Sequence, residues 1–515
     1  MNFKRYINNV FRAVTNTPRT SNRKYEGASR SPRTSNFPLN NLSPNKDIGQ
    51  DATILRQRAK YLYQNTIYAK RAINALANGV VGTGIMPNFR TSSKRGEAGL
   101  KKGWADWAET KKCDFNGRLT MYGLQKLITK TYLRDGEVLV MRRRVPVTES
   151  PNGLQLQVLE MEYLADYINY QILPGGGWTY NGIEYDHRGK VVAYWLFHRH
   201  PSEWYTFPVR HPASEILHIL NVDYPAQNRG VPSGATTIIE ENELDMYEDA
   251  ELVAKKVQAS HAVFRVTNDP EKMEDPPNAD DYDKSVDLEK LEPGTIYHLF
   301  PGESIQSNTP PTASGTEDYR KSKQRNIAVG YEVTYEMLTG DYSQVNFSSG
   351  RMGWVEHSRT LDHIQNLTII PQFIKPVMDW FLEQIAVTPG MPREAINLSQ
   401  SFGGGDLNIT WTPPRREMLD PTKETMGLKN MLRTGMISLS EVIQSQGRNP
   451  EEVLSQIAKD EELCAKLGLH LEWSPNLDIN IASPKELQGQ ASRSLDNTDD
   501  IKSLLQELIE KIDHK

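Results

Sequence analysis

Residues 51–78 read as a helix, because Ile54, Arg58, Leu62, Asn65, Ala69, Ile73 and Ala77 recur near helical spacing and Asn78-Gly79 supplies a C-cap signal. A short helix carrying Trp104 and Trp107 follows, and Tyr122–Leu133 reads as another. From Val138 to Val222 the pattern changes. EVLVMRRR, LQLQVLEM, VVAYWLFHRH and EILHILNV alternate or cluster β-branched and aromatic residues, separated by turns at Gly175–Gly177, Asn181-Gly182 and Arg188-Gly189. This predicts an antiparallel β region. A long helix is expected from about Ser233 to Arg265, with Ile239, Met246, Tyr247, Ala250, Ala254, Val257 and His261 on an inward stripe. Its acids come early (Glu240, Glu241, Glu243, Asp245, Glu248, Asp249, Glu251) and its bases late (Lys255, Lys256, Arg265), which suits the helix macrodipole. Residues 268–314 are rich in Pro, Asp and Gly, with strand-like pieces such as TIYHLF. A second helix spans about 315–332, and another runs from Ser349 to Ala386, where Pro371 and Pro376 predict a kink or break. After a strand at Leu407–Trp411 comes a helical array, in which Ser438 or Ser440 caps one helix and Asn449-Pro450 starts the next. Residues 474–498 read as a linker. A final amphipathic helix aligns Ile501, Leu504, Leu505, Leu508, Ile509 and Ile512.

Between two of these helices, YEMLTGDYSQVNFSSGRMGW (residues 335–354) breaks the pattern with Gly, Ser, Asn and Asp for about a dozen residues. It carries Asp341 but no Lys or Arg until Arg351, and Gly340 and Gly350 at its sides would let it shift. Composition sharpens the picture. At 515 residues the chain exceeds a single core. A net charge of -5 and a pI near 6.2 argue against a protein whose main task is to grip duplex DNA. Cys113 and Cys464 are too distant to suggest a motif, so neither a disulfide framework nor a zinc site is expected. The N-terminus lacks an apolar core of signal-peptide length, and no apolar run is long enough to cross a membrane. Residues 1–47 form a basic tail whose Ser, Thr, Asn and Pro content predicts disorder. Lys4, Arg5, Arg12, Arg19, Arg23, Lys24, Arg30, Arg33 and Lys46 face only Glu26 and Asp47 there.

Enzymatic signatures are weak. Gly82-Thr-Gly84 follows a helix and is only part of a dinucleotide fingerprint; no phosphate-binding G-x-x-x-x-G-K-[ST] occurs, and nothing resembles a nucleophile elbow. His187, His198, His200, His211 and His218 cluster in sequence. His198 and His200 share a strand face, but no carboxylate or cysteine set completes a metal site. No catalytic residue, metal or cofactor is therefore expected.

Ordered words along the chain carry a resemblance. They include R-x-R (Arg56, Arg58), V-G-x-G-I-x-P (Val81–Pro87), W-x-x-W then C-D-x-x-G (Trp104, Trp107; Cys113, Asp114, Gly117), R-D-G-E (Arg134–Glu137) and L-Q-L-Q-x-L-E (Leu154–Glu160). G-I-E-Y-D-x-x-G (Gly182–Gly189), Q-x-R-G-V-P (Gln227–Pro232) and PGE (Pro301–Glu303) continue the series. R-x-I-A-x-G (Arg325, Ile327, Ala328, Gly330), Y-E-x-L (Tyr335, Glu336, Leu338) and D-x-S-x-x-N-F-S-S-x-R (Asp341–Arg351) close it. In this order they resemble the lambda-type family of tailed-phage portal proteins, from about residue 50 to 470. Position 347 holds Phe where many members carry Tyr.

The resemblance implies an α+β portal fold, with an antiparallel β-rich wing (48–232 and 366–414) and stem helices (233–265 and 315–338). It further implies a clip (266–314), a tunnel loop with the start of the following helix (339–365) and a helical crown (415–480); the tail and residues 481–515 lie outside it. It implies a ring, usually of twelve subunits, at one capsid vertex, through which double-stranded DNA is packaged and ejected. The partners implied are the terminase large subunit, head-completion and neck proteins, and the major capsid and scaffold proteins. Contact with DNA would be transient and non-specific, in the virion and, during assembly, in the host cytoplasm. The tunnel-loop residues would be Asp341, Tyr342, Ser343, Gln344, Val345, Asn346, Phe347, Ser348 and Ser349. Short polar side chains suit a surface that DNA slides past, since each Lys or Arg on a phosphate adds affinity. The early helix acids, Glu240 to Glu251, would either line the bore or form a solvated outer face. Phe347 would anchor on a neighbour or enter the channel. Trp178, Tyr180, Trp195, Trp204 and Tyr205 would serve the wing core or subunit contacts. Two other readings stay open: a nucleic-acid enzyme with an unrecognised site, and a non-viral ring-forming scaffold.

Overall fold

The computed structural model describes residues 42–469, apart from 205, 260–262, 267–295, 300–315, 401–406, 417 and 419, together with residues 32, 35 and 36. The expected linker, the terminal helix, most of the tail and most of segment 266–314 fall outside the described residues.

The expected helix over 51–78 is two helices. Helix α1 (Pro44–Asn65) starts inside the expected tail, where the Ser43 hydroxyl accepts from Lys46 N–H and Pro44 opens the first turn. Asn45 fastens this start by donating to the Ala226 carbonyl (2.7 Å) and accepting from Asn228 N–H (2.7 Å). Helix α2 (Ile67–Val81) follows after a break at Thr66. The cap is Gly82, at φ +51°, and Gly79 lies within the helix. The buried face of α1 is Ala52, Arg56, Ala59 and Leu62, while Ile54, Arg58 and Asn65 are exposed.

Strand β1 (Met86–Arg90) pairs antiparallel with β11 (Asn408–Thr412). Helix α3 (Lys94–Ala108) sets Trp104 edge-on to Trp107, and both rings meet Phe381. Helix α4 (Met121–Asp135) leads into β2 (Glu137–Arg144), which pairs antiparallel with both β3 (Leu154–Leu159) and β8 (Ile216–Leu220). A second antiparallel sheet runs β4 (Trp178–Tyr180), β5 (Ile183–Tyr185), β6 (Val191–Phe197), β7 (Pro208–Pro212). The main core joins α2, α3, α4 and the first sheet to the long helix after residue 364; a smaller core lies between the two sheets.

Several of the ordered words meet at one buried ion cluster. Glu137, fully buried on β2, accepts from Arg229 Nε (2.9 Å), Gly230 N–H (2.8 Å) and His218 Nε2 (3.0 Å), with Arg56 at 3.5 Å. Arg56 also pairs with Glu162 (3.0 Å), and Lys60 and Arg134 continue the cluster to Asp135 and Glu160. The R-D-G-E glycine is required for this approach. Gly136 sits at φ +87°, and a Cβ there would lie 2.4 Å from the Val231 backbone.

Helix α5 (Ile238–Ala259) and helix α6 (Thr316–Gly330) are antiparallel, with Tyr247 against Tyr319. Short strands β9 (Val263–Val266) and β10 (Ile296–Leu299) pair in parallel beyond α5. The expected inward stripe of α5 is displaced: Ile239 and Met246 are exposed, and Ile238, Glu241 and Leu244 are buried. Gly330 ends α6 where a Cβ would strike Thr237. Helix α7 (Tyr335–Thr339) precedes the loop and helix α8 (Phe347–His363) follows it. From Ile364 to Ile374 the same helix continues in wider turns bonded i to i+5, then becomes α9 (Lys375–Val387). The expected break at Pro371 is absent, because the wider turns absorb the missing N–H and the ring. Pro376 follows at the junction of the wider turns with α9, still inside the continuous helix. After α10 (Arg393–Gln400) and β11 come α11 (Pro421–Arg433), α12 (Leu439–Ser445) and α13 (Pro450–Lys466). Ser438, with Glu441, caps α12.

Candidate functional site

The break between α7 and α8 is shorter than its sequence suggests. Gly340, at φ +76°, closes α7, and Asn346 opens α8, so the connection is residues 340–346. The Asn346 side chain accepts from Ser349 N–H (2.8 Å), while Ser349 Oγ accepts from Asn346 N–H (3.1 Å). This reciprocal cap places Phe347, Ser348 and Ser349 on the first helical turn. Gly350 lies within the helix and is no hinge. Asp341 shapes the loop's other end. Its carboxylate accepts from Ser343 N–H (3.0 Å) and from the Tyr335 hydroxyl (3.3 Å). These bonds, Ser343's first, hold its pKa below the usual carboxylate range.

Tyr342, Ser343, Gln344, Asn346, Phe347, Ser348 and Ser349 are exposed, and Asp341 and Val345 are half-buried. Asp341 is the only formal charge from Gly340 to Gly350, and Arg351 is exposed one turn into α8. Beneath the loop lies a groove of about 520 Å³, walled by Met337, Tyr342, Val345, Phe347 and Trp354. The Lys423 ammonium of α11 stands 5.6 Å from the centre of the Phe347 ring. Its local sequence gives no sign of this, because α11 is remote in the chain. The helices on either side of the loop are both tied to α2, one next to the loop and the other past the end of α8. Arg71 Nε donates to the Met337 carbonyl (3.0 Å), and Gln365 donates to the Val80 carbonyl (2.6 Å).

The seven acids of α5 divide into different environments. Glu241 is buried and accepts from the Thr66 hydroxyl, Ala69 N–H (2.8 Å) and the Tyr331 hydroxyl (3.3 Å). It thus caps α2 from another helix and cannot line an open surface, contrary to the expectation for this residue. Burial raises its pKa, and those hydrogen bonds only partly offset that. Glu240 and Glu243 face Lys323 (2.5 and 3.6 Å), and Glu248 faces Arg320 (2.8 Å), both on α6. Glu251 pairs with Lys255 one turn on (3.4 Å). Asp245 and Asp249 are exposed.

His198 and His200 do not share a strand face, because β6 ends at Phe197. His200 lies beyond the end of β6, with Nδ1 2.6 Å from Ser202 Oγ, and its ring approaches Glu160 and Glu162. Those two carboxylates already share Lys60 Nζ (2.9 and 3.0 Å), which occupies the place a cation would take. Trp204 is exposed, while Trp178 stacks on Tyr185.

Comparison with known proteins agrees with the resemblance read from the words. The model of the family described as "Phage portal protein, lambda family" matches residues 30–365. The match begins inside the tail rather than near residue 50, and stops at the end of α8. A "Probable portal protein" of Halomonas phage phiHAP-1 is 28% identical over 455 residues, covering 84% of this chain and 85% of its own length. "Portal protein B" of Escherichia phage lambda is 22% identical over 170 residues, 32% of this chain and 31% of its own. Among solved structures, a chain from the virion of a native gene transfer agent particle aligns over 78% of this chain and 94% of its own, at 13% identity and a TM-score of 0.41.

Proposed function

Because the chain belongs to the lambda family of phage portal proteins, we propose that it is the subunit of a ring at one capsid vertex through which double-stranded DNA enters and leaves. The ring, of twelve copies, docks the terminase large subunit during packaging and head-completion and neck proteins afterwards, within a shell of major capsid and scaffold proteins. Its place is the virion, after assembly in the host cytoplasm. The chain is a structural component and not an enzyme. Helices α5 and α6 form the stem and segment 266–314 the clip. Residues 48–232 and 366–414 make the wing, residues 415–480 the crown.

The observation that carries the reading at the site is the loop 340–346 with the first turn of α8. It is largely exposed, its ends are shaped by the Asp341 and Asn346 bonds, and it carries no Lys or Arg of its own, although Lys423 of α11 stands over Phe347. From the loop's own side chains DNA meets hydroxyls, amides and one carboxylate that repels phosphate, so the loop residues themselves add no counterion-releasing grip. The tunnel-loop assignment predicts a specific defect. Replacing Ser343 and Gln344 together by Lys should leave rings intact yet slow packaging, with the defect relieved by added salt. Normal packaging kinetics in that variant would remove the loop from the channel. The ring itself is tested by class-averaged top views of the purified protein. A monomer with nuclease or ATPase activity would overturn the portal reading.

A further inference from the structure

Helices α11–α13 have apolar sides but no interior. Pro450 is their single buried residue, whereas the wing helices bury whole stripes. Met426, Met431, Leu439, Leu454 and Leu463 are exposed, and Met436, in the turn between α11 and α12, is 80% exposed. Apolar surface of this kind calls for a cover.

We propose that the cover is the segment Ile501–Ile512 of the same chain, folded back onto its own α11–α13. Three observations converge on it. Ile501, Leu504, Leu505, Leu508, Ile509 and Ile512 fall on one side of a helical period, with Lys502, Glu507, Glu510 and Lys511 on the other. A helix so short is marginal in water and needs a surface to lie on. The tether also has the right length. Residues 470–500 separate the segment from Leu469, and their linker composition gives an average span of roughly 30 Å. Helix α13 is itself about 25 Å long. Every part of the array is therefore within reach, at an effective concentration in the millimolar range that a free partner would have to exceed.

The protein carries its own probe. Cys113 is buried, and burial pushes its thiol up to about 12, so it is unreactive at neutral pH. Cys464 is half-buried on α13. In the full-length chain, Leu504→Cys, Leu505→Cys and Leu508→Cys would be made singly. Each would be cross-linked to Cys464 with a short bis-maleimide, in assemblies mixed from isotopically light and heavy subunits. The expected result is at least one strong link, confined to light–light and heavy–heavy peptides, with Gln506→Cys linking at least fivefold less. Mixed light–heavy links would place the segment on a neighbouring copy, and the absence of links would leave the array without this cover; either overturns the proposal. Independently, Leu508→Asp should speed amide exchange along Val453–Cys464 about tenfold or more. Unchanged exchange would also overturn it.

Discussion

Two buried glutamates show how one residue type takes opposite roles. Glu137 meets Arg229, Arg56 and His218. Burial alone would push its carboxyl up, but Arg229 and His218 hold it well below its ordinary value near 4.5. Glu241 meets two hydroxyls and an amide, none of them charged, and its carboxyl rises. The signs for stability follow. For Glu137 the unfolded chain binds the proton more tightly, so its contribution is present above about pH 4.5 and is lost as pH falls towards its folded value. For Glu241 the contribution runs the other way, present at low pH and lost as pH rises through its raised folded value. Glu137→Gln leaves Arg229 uncompensated and should cost about 3–5 kcal/mol in chemical denaturation at neutral pH, with a flattened acid limb. Glu241→Gln keeps the acceptor for Thr66 and Ala69 and offers a donor to Tyr331. It should change stability by less than about 1 kcal/mol. Equal losses in the two variants would contradict this account. The importance of Glu137 was visible only as part of a four-residue word, because its partners come from positions 56, 218 and 229.

At the scale of elements, strands were the most legible. EVLVMRRR coincides with β2 from end to end; its apolar run Val138–Met141 marks a strand buried on both faces, and the charged residues flanking that run are paired. The α1–α2 break was not legible. Apolar spacing runs straight across Thr66, and what stops the helix there is bonded to Glu241, far away in sequence. The loop was misjudged in length for a local reason: Phe347, Ser348 and Ser349 look like turn residues, yet the Asn346 and Ser349 cap makes them helical. Removing that cap is informative. Asn346→Ala should cost about 1 kcal/mol of local stability and raise amide exchange at Ser349 and Gly350, with the rest of α8 unchanged. Unaltered exchange there would mean that the groove contacts, and not the cap, start the helix.

For the molecule as a whole, the tail boundary decides what can be removed. Truncating residues 1–41 leaves Ser43, Pro44 and Asn45 in place, and should preserve both thermal stability and assembly. Truncating 1–47 takes away the α1 cap and the Asn45 bonds to Ala226 and Asn228, and should lower Tm by several degrees. Similar melting of the two truncations would show that this anchoring is unimportant. The α+β architecture was readable from the chain, because helical spacing and strand alternation fall in different segments. The neutralisation of Glu240, Glu243 and Glu248 was not, since Lys323 and Arg320 reach them only after α6 turns back along α5.

Helix α2 has a mechanical consequence. Its first turn is held by a carboxylate of α5, Arg71 in its second turn holds the near foot of the loop, and its last turn meets Gln365, which lies past the other end of α8. A load applied to α5 thus has a polar path to the near foot of the loop and, separately, to the end of α8 remote from it. The loop would follow α2 at its near foot and α8 at its far one, keeping the shape that the Asp341 and Asn346 bonds give it.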